Sequence, residues 1–211
     1  MIMGFAHLMV NTGELLKSEL EWGKQGYKRT ALLQDVYNHP SKKAFSANYT
    51  DRHDLMLLGG TGLWPLELTY HGVVQGSNRQ VTWHQDRIQI EMDDTTILKR
   101  LLVKGLGFKA NRDNEFQLSP MLPDWACRIC TLNKFTEPTR LDAAGASGLA
   151  FYSRRIEADS EKLKSLGAIE VSEIFELVLN DKKLDIALMR VPDGPLIELI
   201  RPQQPRKGAK S

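Results

Sequence analysis

The chain has 211 residues, 42% hydrophobic and 26% charged, with a formal net charge of +2. So balanced a charge argues against a broad nucleic-acid surface, and no apolar run approaches the ~20 residues of a membrane span. The length suits one large domain or two small ones. The opening MIMGFAHLMVNTGE lacks the basic start and small-residue cleavage site of a signal peptide, so the expectation is a cytoplasmic protein with neither a nucleic-acid nor a membrane partner.

In chain order, residues 4–12 (GFAHLMVNT) form an apolar strand. A helix follows near 13–24, with Leu15, Leu16 and Leu20 on one side and Gly26 as its left-handed stop. Strands are expected at 30–36, 54–60 and 64–72. A second strand–helix pair spans 87–94 and 95–104, with Ile97, Leu98, Leu101 and Leu102 as the helix stripe, then shorter strands at 115–120 and 126–132. A third pair begins at 148–159 and continues in a helix over 159–166, capped by Asp159 or Ser160 and stopped by Gly167. Strands at 173–181, 182–190 and 194–200 complete it.

The order is therefore βαβββ, three times over. The helix ends QGY, LGF and LGA fall at matching places, and PLEL in the first unit answers PLIEL in the third. Turn-rich joints, 71–80 and 136–148, separate the units, and residues 203–211 read as a disordered basic tail. Cys127 and Cys130 are spaced C-x-x-C. There is no second pair to complete a zinc site, and a strand turns positions i and i+3 to opposite faces, so two free thiols are expected.

Glu198 raises a separate question. In a strand it shares a face with Leu196 and Ile200, while Ile197 and Leu199 point the other way. A carboxylate between aliphatic neighbours costs free energy unless a charge or hydrogen bond meets it. Either a basic partner or a metal or ligand site would do so.

With Leu106-Gly107-Phe108 ending a helix and Pro192-Asp193-Gly194 leading to Glu198, the chain resembles the vicinal oxygen chelate superfamily. That superfamily includes glyoxalase I, bleomycin-resistance proteins and extradiol dioxygenases. The resemblance implies an α+β fold of repeated βαβββ modules forming curved, mostly antiparallel glyoxalase-like sheets with helices on the outer face. Residues 1–75 then read as a single module and 80–202 as a two-module domain. An odd module leaves an edge or an apolar face to cover, so a homodimer is expected.

The resemblance also implies ligands from each module's first and last strands. His7, Glu67 and Glu198 stand at such places, and one His with two carboxylates suits Zn²⁺, Ni²⁺, Mn²⁺ or Fe²⁺. Glu198 is the candidate general base towards a small-molecule ligand. The fourth position falls near Ser153, and Ser153 with Arg155 are the candidate ligand contacts. In the second unit the matching places fall near Gln89 and Thr131, both weak donors. The set requires units one and three to share a cavity. The other readings are a structural His7, a wet face carrying Glu67, Thr69 and His71, and a Glu198 paired to Arg154 or Arg155. Trp64, Trp83, Trp125 and Tyr152 are candidates to stack on a flat ligand, although Trp64 suits the core. His39, His53 and His84 lie in turn-like contexts and receive no role. Two functions from different classes fit: a divalent-metal enzyme (lyase, isomerase or dioxygenase) acting on a small oxygenated molecule, and a metal-free drug- or metabolite-binding protein.

Overall fold

The computed structural model describes residues 1–72, 74, 76–111, 114–118, 127–134 and 137–203. Trp125 and all but the first residue of the expected 203–211 tail lie outside them. The first unit comprises β1 (Ile2–Asn11), α1 (Leu15–Gly23), β2 (Lys28–Tyr37), β3 (Arg52–Gly59) and β4 (Leu66–Tyr70). The short strand β5 (Val81–Trp83) leads to the second unit: β6 (Ile88–Met92), α2 (Thr96–Arg100), β7 (Lys109–Ala110), β8 (Glu115–Leu118) and β9 (Cys127–Asn133). The third comprises β10 (Gly145–Ser153), α3 (Ile156–Ser165), β11 (Phe175–Leu179), β12 (Lys182–Arg190) and β13 (Leu196–Pro202). The expected α+β fold of βαβββ units is present, in an open and mostly antiparallel sheet.

The seam of the sheet is β1 against β10, antiparallel. Beyond β1 lie β4, β3 and β2; beyond β10 lie β13, β12 and β11. The first and third units thus form one eight-stranded sheet about a pseudo-twofold axis. This differs from the grouping of 80–202 as the pair of units with 1–75 alone. Neighbouring modules in sequence do not pair, because the two longest apolar first strands, β1 and β10, take each other as partners. The second unit keeps its own strand set, β5-β6-β9-β8-β7, and, among the described residues, joins β10 where Val81 meets Ala146.

One core continues from the helix side of the main sheet into the second unit, including Leu8, Leu66, Ile90, Leu101, Phe108, Leu149 and Phe151. The second unit therefore covers part of the helix face, with Phe108 edge-on to Phe151 at 5.9 Å. After α2 the helix widens into a π-helical turn, Leu101–Leu106, ending at Gly107 with φ +85°. Gly105 lets this turn approach α3 closely: a Cβ there would meet the Leu163 Cδ2 at 2.3 Å, and that side chain would have to move. Gly26 and Gly167 likewise end the other helices with positive φ.

Two helix expectations change. In α1 only Leu15 is buried, and Leu16 and Leu20 are 66% and 71% exposed. Nothing among the described residues lies over them, whereas α3 packs on the π-helical turn. The third helix starts three residues early, after Arg155 at the cap position. Asp159 lies inside its first turn, buried, where it accepts the Ser153 hydroxyl at 2.6 Å. On β9, Cys127 is buried and Cys130 half-buried, both free, and burial pushes both thiols up. Among the described residues, no helix is long and apolar enough to cross a membrane.

Candidate metal and ligand site

The face opposite the helices carries a second apolar cluster with Ala6, Met9, Phe45, Ala150, Leu196 and Ile200. Within it lie three buried groups. His7 Nε2 is 3.4 Å from a Glu67 oxygen and 3.6 Å from a Glu198 oxygen. Each residue offers a ligand atom within 4.8 Å of the others. These lengths make charge contacts rather than hydrogen bonds, and Nε2 is buried without a hydrogen-bond partner.

The strand register explains the convergence. His7 on β1 and Glu198 on β13 both flank Ala150 on β10. The small Ala150 leaves room for the two longer side chains to meet above it. Glu67 on β4 pairs with Met9, two residues along β1 from His7. A bulge at Ala6 sets the approach to His7, because Phe5 opposes Phe151 and His7 opposes the very next residue, Ala150. Plain alternation along β1 would put Phe5, His7 and Met9 on one face, and the bulge breaks it. Phe5 joins Leu8 and Val10 in the helix-side core, while Ala6 and Met9 face the other way.

The register also relocates the fourth position. As Met9 pairs with Glu67, so Ala150 pairs with Glu198; the counterpart of His7 is then Gly148, two residues before Ala150. Ser153 is too far along β10, and its hydroxyl is engaged with Asp159. Arg155 is exposed at the start of α3. Neither lines the chamber around the two glutamates. Gln89 and Thr131 belong to the second unit's strands, where the Gln89 amide donates to Glu91 at 2.7 Å.

Burial disfavours the charged form of His7, but the fields of Glu67 and Glu198 outweigh it and raise its pKa. Burial pushes Glu67 up to about 7, against the pull of His7 and with the help of Glu198. At neutral pH this cluster therefore holds protons that a cation could displace.

Three further groups face the chamber, and none was assigned a role from the sequence. A short 3₁₀ segment, Pro40–Phe45, crosses from β2 towards the third unit. Its Lys42 directs the ammonium over the Phe175 ring, 5.2 Å from the centroid. Burial lowers the Lys42 pKa, opposed by Glu198 and Glu67. The residue as a whole is only half-buried, with its ammonium placed over the chamber-lining Phe175. His53 and His71 stack at 4.9 Å with their planes 11° apart. Burial and then the Lys42 charge push both down, His71 to about 4, so both are neutral at pH 7. The strap is tied down firmly. Phe45 accepts the Leu141 amide at 2.9 Å, the Asp142 carboxylate accepts the amides of Ala47 and Asn48, and Arg190 lies over the Phe45 ring. Nothing in the spacing of PSKKAF marks Lys42, because its importance arises from a crossing between units.

The chamber walled by Lys42, His53, His71, Glu67 and Glu198 measures only ≈ 20 Å³, room for about one water or ion. On the other side of His7 a cleft of ≈ 440 Å³ opens outward. His7 thus lines the wide cleft, while its Nε2 faces the two glutamates that wall the small chamber.

No family model matches this chain, and no curated protein matches it. Solved structures do. Glyoxalase I from Zea mays is 12% identical with a TM-score of 0.39, covering 94% of this chain and 67% of that one. A hypothetical protein from Bacillus halodurans is 10% identical with a TM-score of 0.42, covering 97% of both chains. A glyoxalase family protein from Enterococcus faecalis is 24% identical with a TM-score of 0.39, covering 54% of this chain and 94% of that one. These are likenesses of fold.

Proposed function

We propose that the chain is a glyoxalase-like enzyme that holds a divalent metal on His7, Glu67 and Glu198 and acts on a small oxygenated molecule. The observation that carries this reading is the buried His7 Nε2, without a hydrogen-bond partner, set between two buried carboxylates. Ligand atoms about 2.1 Å from a tetrahedral ion lie about 3.4 Å apart, so separations of 3.4 and 3.6 Å need little rearrangement. Imidazole with two carboxylates suits Zn²⁺, Ni²⁺, Mn²⁺ or Fe²⁺. When bound, such an ion would polarise substrate oxygens as a Lewis acid. Glu198, seated among Leu196, Ile200 and Ala150, would move a proton beside the substrate carbonyl. Lys42 and the strap keep bulk water from the small chamber.

The test is calorimetric titration of the protein with Zn²⁺ and Ni²⁺ across pH. Glu67 titrates near 7 and His7 above its ordinary value, so metal and protons compete for the same atoms. Protons should be released on ion binding at pH 6 and progressively fewer above pH 7, with affinity rising with pH across that range. Metal uptake without proton release, or no uptake, would remove the reading.

One observation favours a metal-free ligand-binding protein instead: the Lys42 ammonium already supplies a positive charge facing both carboxylates. Lys42→Met separates the two. If the site is for metal, removing a competing charge should tighten Zn²⁺ binding by about tenfold or more. If Lys42 is the resident counter-ion, the variant should unfold at lower temperature and gain no metal affinity.

A further inference from the structure

Among the described residues, the ≈ 440 Å³ cleft in front of His7 has no Asp, Glu, Lys or Arg in its lining. Phe5, Leu63, Trp64 and Tyr152 supply its apolar and aromatic walls, and Gln85 stands at its edge. Trp64 is held in place from two sides. Its ring meets Phe5 edge-on at 5.6 Å, and its indole N–H donates to the His84 carbonyl at 2.5 Å. His84 and Gln85 lie between β5 and β6, so the approach to the second unit forms one rim of a cleft whose floor belongs to units one and three. We infer that this cleft receives an uncharged, flat apolar group of one or two rings, with the oxygen-bearing end of the same molecule reaching His7. The inference deepens the proposed function and rests on reading His7, Glu67 and Glu198 as the reacting end.

Three physical arguments support it. The volume lies within the range of small-molecule sites and exceeds the ~150 Å³ that suffices for benzene. A carboxylate or phosphate on the ligand would find no Lys or Arg in the lining among the described residues, and His7 already faces two carboxylates, so an anionic tail loses its hydration without adequate replacement. A flat ring, by contrast, can lie against Trp64, whose orientation is already set, so little ordering remains to be done on binding.

The experiment compares three probes by calorimetry, with the protein metal-free and zinc-loaded. They are 2-hydroxyacetophenone (a neutral ring), hydroxyacetone (no ring) and 4-(2-hydroxyacetyl)benzoate (a charged ring). The neutral ring should bind at least roughly tenfold more tightly than either other probe in both states. Trp64→Ala should erase that advantage. Gln85→Arg, a change at an exposed position, should raise affinity for the benzoate at least roughly fivefold. Glu198→Gln should keep the preference for the ring while losing any gain from zinc, so failure of the metal reading shows separately from failure of this one. Equal affinities for the three probes, no binding of the neutral ring at millimolar concentration, or an unchanged benzoate affinity in Gln85→Arg would overturn the inference.

Discussion

Glu198→Gln is expected to weaken Zn²⁺ binding by roughly a hundredfold, about 2.7 kcal/mol, while shifting the melting temperature of the metal-free protein by no more than about 4 °C. Gln is nearly isosteric, so packing against Leu196, Ile200 and Ala150 is retained. Two electrostatic changes oppose each other. The variant loses the attraction between Glu198 and a protonated His7, and it relieves the repulsion between Glu198 and Glu67 that helps push Glu67 up to about 7. Titration with metal and a thermal scan of the same variant check both halves. The contrary outcome is equally definite. Were Glu198 chiefly the buried partner of a cation, its loss would strand that charge at a cost of ~3–5 kcal/mol. The metal-free protein would then melt about 6 °C or more lower, with metal affinity unmoved.

Gly148→Ala should be the most damaging single-methyl change in the sheet. A Cβ at Gly148 would meet the Leu196 carbonyl oxygen at 2.2 Å and its carbonyl carbon at 2.7 Å. These are backbone atoms of the neighbouring strand, so no rotamer change gives relief. Either β10 and β13 separate locally or the methyl group stays in a severe clash, and a loss of ~3 kcal/mol or more is expected. For a chain of this length that lowers the melting temperature by about 6–12 °C. Because Ala150 and Glu198 form the next same-face pair along these strands, metal affinity should fall with stability. A thermal midpoint within about 2 °C of the parent, a change of about 1 kcal/mol or less, would show that the strands can part at little cost.

The features legible in the sequence were those set by neighbours along the chain. Strand–helix–glycine order depends on local periodicity and on Gly26, Gly107 and Gly167, which take the left-handed conformation that other residues avoid. The facing of Glu198 with Leu196 and Ile200 follows from alternation in an unbroken strand, and the structure shows it. The convergence of His7, Glu67 and Glu198 was legible only as a condition, since it required two units to pair and a one-dimensional pattern does not name partners. In β1 the same alternation failed, because the bulge at Ala6 is created by register against β10 and leaves no local mark. Lys42, His53 and His71 were missed for a related reason: each gains its character from burial under a strap held by the third unit. The error at α1 is of another kind. Leu15, Leu16 and Leu20 do lie at helical spacing, but only Leu15 turns to the sheet, so periodicity identified the helix and misjudged its rotation.

The seam between β1 and β10 also governs the order in which the molecule can assemble. The strand that begins the chain takes as its partner one that follows the entire second unit. Until β10 exists, one edge of β1 has no native partner, and β6 of the intervening unit offers another apolar strand with which it could pair. The β11–β12 hairpin closes over a two-residue turn and β2–β3 over the strap segment between Tyr37 and Arg52, whereas this seam closes over most of the polypeptide, and long-range pairing of this kind is slow. His7 and Glu198 lie on opposite sides of it. The buried cluster is thus expected to form late in folding, and an ion bound there would report that the two ends of the chain have found each other.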